Sequence, residues 1–360
     1  MRKSLIPSIF FTSSVLAQQI MPGSNLVLMT LPPGARGLAL AGASTAASVD
    51  ASAIYYNPAG LTSIKTLSLN ADGFAFPSPE AQFFRNVNTP FYNISGAYNI
   101  PDAGALGVSY AYNKFEAEDV FGGDFSKSEY LVTVAFGRQL SERYSVGAAA
   151  KLGRLSMRMQ AGFLSEIESS AGLFALDLGV LFRDATCQPI LGTSVNSTGL
   201  SLGLALKEIG PKYSFFDGQD EAIPTNMRLG FSYDWLAFES LSSTIALDLV
   251  KYLNDANVPD KTYSWFSPLM NGWTDQSFAD EVRHISYSAG LEIGYRDVVF
   301  FRLGRGRDFI PAINTWAVGI GGEYLGFGLD AVYISKKYLY AGPLRDDTSN
   351  GVRFTLSYQR

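Results

Sequence analysis

Two side chains in this 360-residue chain carry the chemistry of a soft nucleophile or an imidazole base, and each is alone of its kind: Cys187 and His284. A zinc centre needs several Cys or His ligands at short spacing, and a Ser-His-Asp hydrolase would have to run through His284. The chain has no G-x-S-x-G elbow and no G-x-x-x-x-G-K-[ST] phosphate loop. A single cysteine also excludes an intrachain disulfide. No catalytic residue, metal site or cofactor is therefore expected, and the remaining chemistry is recognition. Two groups of residues are candidates. Tyr263, Trp265, Phe266, Trp273 and Phe278 crowd one connector; Trp and Tyr dominate the energetic centres of protein interfaces, although the same rings also suit the girdle at a lipid boundary. Arg36, Asn57, Pro58 and Gly60 punctuate a segment, residues 34–61, made mostly of Gly, Ala and Ser. The net charge of −5 argues against nucleic acid, whose phosphates call for a basic patch.

The elements that must position these residues read as strands. From Leu67 to Tyr358 about fourteen stretches alternate apolar with small or polar residues, and the connectors alternate too, long then short. In the last stretch Val352, Phe354, Leu356 and Tyr358 share one face, and Arg353, Thr355, Ser357 and Gln359 the other. The tight connectors are residues 101–104, 141–143, 236–239, 296–297 and 325–326. The long ones are residues 77–89, 118–126, 156–169, 209–223, 254–284, 306–314 and 335–350. Residues 185–197 break the rule, being long where a short turn is due. A soluble sandwich alternates as well, but its polar face should be rich in Lys and Glu; here that face is rich in Gly and Ala and carries Asp177, Asp248, Glu292, Arg302 and Glu323. Charged residues are 17% and aromatics 13%, a balance that favours a wall facing lipid. The fold expected is all-β: a transmembrane antiparallel barrel of about fourteen strands, both ends of the chain on the short-turn side.

Residues 1–17 read as a signal peptide, with Arg2 and Lys3, a short apolar run and Val15-Leu16-Ala17 before the cut. Residues 18–64 would be an N-terminal plug or hatch seated in the short-turn half of the lumen, and residues 65–360 the barrel. Gly and Ala would let that segment pack closely, and Pro58 restricts Asn57 to extended or turn geometry.

Gly34-Ala35-Arg36-Gly37, Ala41-Gly42-Ala43, Asp50-Ala51-Ser52-Ala53 and Tyr55-Tyr56-Asn57-Pro58-Ala59-Gly60-Leu61 resemble the N-terminal signature of the PorV/PorQ family. Ile223–Gly230, Asp248–Leu253, Trp265–Pro268, Ser277–Glu281, Ser288–Tyr295, Phe301–Gly304 and Val352–Leu356 extend the likeness, which is strongest to the PorV type of the type IX secretion system. Tyr55-Tyr56 depart from the His-Trp that many such sequences carry before Asn-Pro, leaving room for a paralogue. The resemblance implies a FadL-like barrel in the outer membrane of a Gram-negative bacterium, in contact with outer-membrane lipid, and not an enzyme. It also implies a role in binding the C-terminal β-domain of secreted cargo and passing it to attachment machinery. The implied partners are that cargo, the translocon and PorU-like attachment proteins. In the notation of residues, Tyr263, Trp265, Phe266, Trp273 and Phe278 are the cargo-binding candidates. The alternative is a FadL-like channel for hydrophobic small molecules.

Overall fold

The computed structural model describes residues 26–75, 84–119, 123–160, 166–193, 198–216, 219–253, 265–273, 277–309, 312–338 and 348–360. The expected signal peptide, residues 1–17, lies outside the described residues. Fourteen strands run in chain order around a closed antiparallel ring: β1 (Leu67–Ala75), β2 (Pro90–Ile100), β3 (Gly104–Asp119), β4 (Asp124–Gln139), β5 (Tyr144–Gln160), β6 (Ile167–Asp184), β7 (Leu200–Ile209), β8 (Asn226–Ala237), β9 (Leu241–Tyr252), β10 (Ser286–Tyr295), β11 (Val299–Phe309), β12 (Ala312–Tyr324), β13 (Phe327–Tyr338) and β14 (Thr348–Gln359). β1 closes on β14 with Ser68 opposite Gln359 and Gly73 opposite Phe354. Closure removes the unpaired edges that an apolar medium would not tolerate.

The wall obeys a period of two. Along β4, Tyr130, Val132, Val134 and Phe136 are exposed, while Glu129, Leu131, Thr133 and Ala135 are buried. Exposed aromatics gather near both ends of the apolar band, Tyr98, Tyr144, Tyr324 and Phe327 toward the short turns and Tyr92, Tyr130, Trp316 and Tyr333 toward the long loops. Such girdles mark the two lipid–water boundaries. Leu325 and Gly326, both at positive φ, form the two-residue turn between β12 and β13, a geometry whose twist matches that of the flanking strands.

Three connectors expected to be long are short. β3 runs to Asp119 and β4 starts at Asp124; β5 runs to Gln160 and β6 starts at Ile167; β11 runs to Phe309 and β12 starts at Ala312. Pairing continues past the apolar band, with Glu118 opposite Asp124 and Arg158 opposite Glu168. Ladder bonds belong to the backbone and survive where the outer side chains turn polar, so hydrophobic alternation underestimates strand length there. The anomalous connector adds no hairpin: Leu191–Gly192 pairs in parallel with Leu236–Ala237 at the rim, and the ring still counts fourteen.

Candidate functional site

Residues 26–64 lie inside the ring. Their short helices, Val27–Thr30, Ala35–Ala39 and Ala53–Tyr56, and the 3-10 turn Pro58–Ser63 are buried almost throughout. Three wall carboxylates hold them. Glu129 of β4 accepts from Val27 N (2.8 Å) and Leu28 N (3.1 Å). Asp248 of β9 accepts from Ser44 N (3.2 Å), Thr45 N (3.1 Å) and the Thr45 hydroxyl (2.6 Å). Glu292 of β10 takes Arg36 in a two-point bridge, 2.9 Å from both Nε and Nη2, while Arg36 Nη1 donates to Ala47 O. Arg302 backs the same carboxylate and also reaches Asp330. Bidentate guanidinium–carboxylate pairs combine strength with a fixed geometry.

Asn57 is the central polar residue of the segment. It is fully buried, and its amide donates to Thr45 O and to Val180 O of β6, each at 3.1 Å, while its side-chain oxygen accepts from Ala59 N. Pro58 opens the following turn, where a missing N–H costs nothing. Around this point the wall is stripped of side chains. Gly137, Gly147 and Gly179 stand opposite one another on β4, β5 and β6, as do Gly203 and Gly230 on β7 and β8. A Cβ on Gly147 would overlap Ala59 N and the Pro58 carbonyl, and one on Gly179 would overlap the Asn57 side-chain oxygen. Gly60 is closed in by Ala53 and Ser48. The segment's backbone thus presses directly on the wall.

Above this belt sits a buried ionic cluster. Lys151 Nζ lies 2.8 Å from Asp177 and pairs with Glu208, whose own N–H donates to Asp177 at 2.8 Å. Lys207 Nζ lies 3.7 Å from Glu208 and 3.6 Å from the centre of the Tyr55 ring. Both Lys207 and Glu208 are fully buried, which strict alternation forbids for neighbours in a strand. A bulge resolves it: pairing of β6 with β7 shifts between Leu176 and Leu178, and Glu208 takes φ +56. Burial raises the Tyr55 hydroxyl above its ordinary value, against the opposing charge of Arg228, so Lys207 faces a neutral ring. Sequence reading missed Lys151, Lys207 and Glu208. The signal available was the adjacent Lys-Glu pair inside an otherwise apolar-alternating stretch.

Toward the long loops the filling becomes apolar. Leu26, Leu28, Met29 and Leu31 pack with Phe91, Leu131, Leu155 and Leu173 of the wall. Tyr213 and Ile223, from the connector between β7 and β8, join the same cluster, so part of that connector faces inward as a cover. A cavity of about 30 Å³ remains beside Leu28, Tyr55 and Lys151, room for little more than a water. The connector between β9 and β10 holds two short helices, Ser267–Asn271 and Phe278–Arg283. The Trp265 ring lies tilted by 46° with its centre 5.4 Å from that of Phe174 of β6. Trp273 lies 5.4 Å from Lys251, which pairs with buried Glu281. Phe266 is 61% and Met270 76% exposed, with Trp265 and Trp273 close to half-exposed. Tyr263 and the side chain of Phe278 lie outside the described residues.

A family model described as Type IX secretion system protein PorV matches residues 16–259. The chain belongs to the PorV family. The match takes in the lumenal segment and the wall through β9, and stops before Trp265. No curated protein matches the chain. Among solved structures, the toluene transporter TodX of Pseudomonas putida aligns over 91% of this chain and 98% of its own, with 11% identity and a TM-score of 0.57. A FadL homologue of Pseudomonas aeruginosa covers 90% and 97%, with 14% identity and a TM-score of 0.53. The monoaromatic hydrocarbon channel CymD covers 91% and 97%, with 10% identity and a TM-score of 0.53. These likenesses show the fold: a FadL-like barrel. Family and fold are those of a secretion or transport barrel of the Gram-negative outer membrane rather than of an enzyme.

Proposed function

We propose that this PorV-family barrel binds the C-terminal β-domain of secreted cargo at its long-loop face and passes it to PorU-like attachment machinery. The observation that carries the reading is the contrast between a lumen packed with apolar side chains toward the long loops and an apolar loop surface above it. Residues 26–64 occupy the interior, while Trp265, Phe266, Met270 and Trp273 stay open to contact. A rigid barrel bearing such a loop is suited to binding on top rather than conduction through its centre. Trp265, Phe266 and Trp273 are the anchors, with Tyr263 and Phe278 in the same connector. Residues 34–61 serve as the plug, locked by Arg36, Asn57, Pro58 and Gly60.

The test is binding of a purified cargo C-terminal domain to the wild-type barrel and to a folded W265A/F266A/W273A variant. Truncating a true hot spot costs about 2 kcal/mol, roughly a thirtyfold loss of affinity. Unchanged binding by the variant moves the contact elsewhere. The FadL-like fold keeps a second reading in play, a channel for hydrophobic small molecules. Saturable uptake of such a solute by liposomes holding the wild type, without cargo binding, would replace the first reading with the second.

A further inference from the structure

The short-turn mouth of the lumen contains a cavity of about 450 Å³ that neither the lumenal segment nor the wall fills. That size is typical of a ligand pocket. Ala46, Ala47 and Val49 of the segment form one side, and the inward faces of β6 to β11 the other. The anomalous connector contributes Thr193 and Thr198, and it is pinned in place. Tyr233 donates to Gln188 O at 2.7 Å, Thr198 N donates to Asp234 at 2.6 Å, and Leu191–Gly192 pairs with the end of β8. The extra length of this turn therefore builds a pocket wall.

Arg183, at the end of β6, faces this cavity with no compensating charge. Its buried Nε has no hydrogen-bond partner, and no ion pair among the described residues includes it. Every nearby acid is otherwise engaged or lies on the rim. Asp184 pairs with Arg143 at 3.6 Å and bonds Thr186. Asp234 holds Thr198 and Thr244. Glu292 holds Arg36 and Arg302, and Glu239 and Asp297 belong to the rim turns. An uncompensated, partly buried guanidinium is a cost that a bound anion would remove. Buried Ser201 and Ser232 lie beside it, and Leu236, Phe238 and Phe300 supply apolar surface.

We propose that this pocket binds the C-terminal carboxylate of a peptide entering from the short-turn side, the carboxylate on Arg183 and the preceding backbone on the hydroxyls. A small inorganic anion would leave most of the volume and the apolar side chains unused. A fatty acid would leave the hydroxyls unmatched. The acidic rim selects against polyacidic chains. The site is independent of the cargo-facing loops.

The test uses the full-length barrel in lipid nanodiscs and calorimetric titration with the tripeptide Val-Leu-Ala bearing a free carboxylate. Its C-terminal amide, inorganic phosphate and decanoate serve as comparisons. The expected result is saturable binding of the free acid, at least tenfold weaker binding of the amide, and loss in R183Q with partial recovery in R183K. R143Q should bind as wild type. Without ligand, R183Q should melt at the same or a higher temperature than wild type, since it loses an uncompensated charge. Equal binding of acid and amide overturns the proposal, and so does a lower melting temperature of R183Q with binding intact. Phosphate or decanoate binding more tightly than the tripeptide reassigns the pocket to that ligand and also overturns it. The amide comparison decides the matter on wild-type protein alone if R183Q does not fold.

Discussion

Around Asn57 the lumenal segment meets the wall through bare glycines, hydrogen bonds and paired charges; around Leu28 it meets the wall mainly through aliphatic packing, with Glu129 as a polar anchor. Near the short turns a misplaced atom collides with backbone, and Arg36, Thr45 and Asn57 each have designated partners. Near the long loops the fit is one of volume, with Leu28 and Met29 set among leucines that can shift. The first region specifies where the segment sits. The second packs the lumen toward the loops with apolar side chains.

The comparison breaks most visibly at the ionic cluster between the two regions. Lys151→Ala strands Asp177 and leaves Glu208 only the longer contact with Lys207, and removing one partner of a buried ion pair costs about 3–5 kcal/mol. The variant should show the largest loss of melting temperature in detergent, measured by differential scanning fluorimetry. Replacing Lys151, Asp177, Lys207 and Glu208 together by apolar residues of similar volume should cost far less.

Leu28→Ala tests the apolar half. A buried leucine cut to alanine costs about 2–5 kcal/mol, least where neighbours relax into the gap. If the neighbouring leucines repack into the gap, the loss should fall near about 2 kcal/mol. Limited proteolysis should then cut near Leu28 while the region around Asn57 stays protected.

Gly147→Val probes the rigid half. The added side chain meets Ala59 N and Pro58 backbone, which have no rotamer to change. Overpacking of this kind costs about 1–3 kcal/mol. Here protease should cut around residues 57–61 first, the reverse of the Leu28→Ala pattern. Matching cleavage patterns in the two variants would mean that the segment moves as one body and that the halves are not distinct.

Trp265→Ala should be the mildest. Its ring is half-exposed and rests on Phe174, an aromatic contact worth about 0.5–1.5 kcal/mol. The melting temperature should barely move, so that any loss of cargo binding in the same variant reports on contact rather than folding.

Much of this was legible in the residues. Alternation such as Leu106, Val108, Tyr110 against Gly107, Ser109, Ala111 dictates an apolar outer face, because successive strand side chains point to opposite sides. The fourteen-strand count followed from that period and from the turns. Arg36 and Glu292 stood out separately, one as a rare charge in a small-residue segment and the other as an acid on an inward face. Nothing local said that they meet. The extent of β3 to β6 was misjudged because the outer residues turn polar while the ladder continues.

By itself the sequence determined a periodic wall and a small-residue segment before it. These depend on residue type and spacing, which act over a few bonds. Tertiary structure decided the rest. Ring closure brought Glu129, Asp248 and Glu292 from distant strands onto one segment. The bulge at Glu208 turned two neighbouring charges into the same lumen, against the period of two. The same closure left Arg183 beside an open cavity, paired with no acid among the described residues. Each outcome depends on which strands become neighbours in space, and no local pattern of residues encodes that.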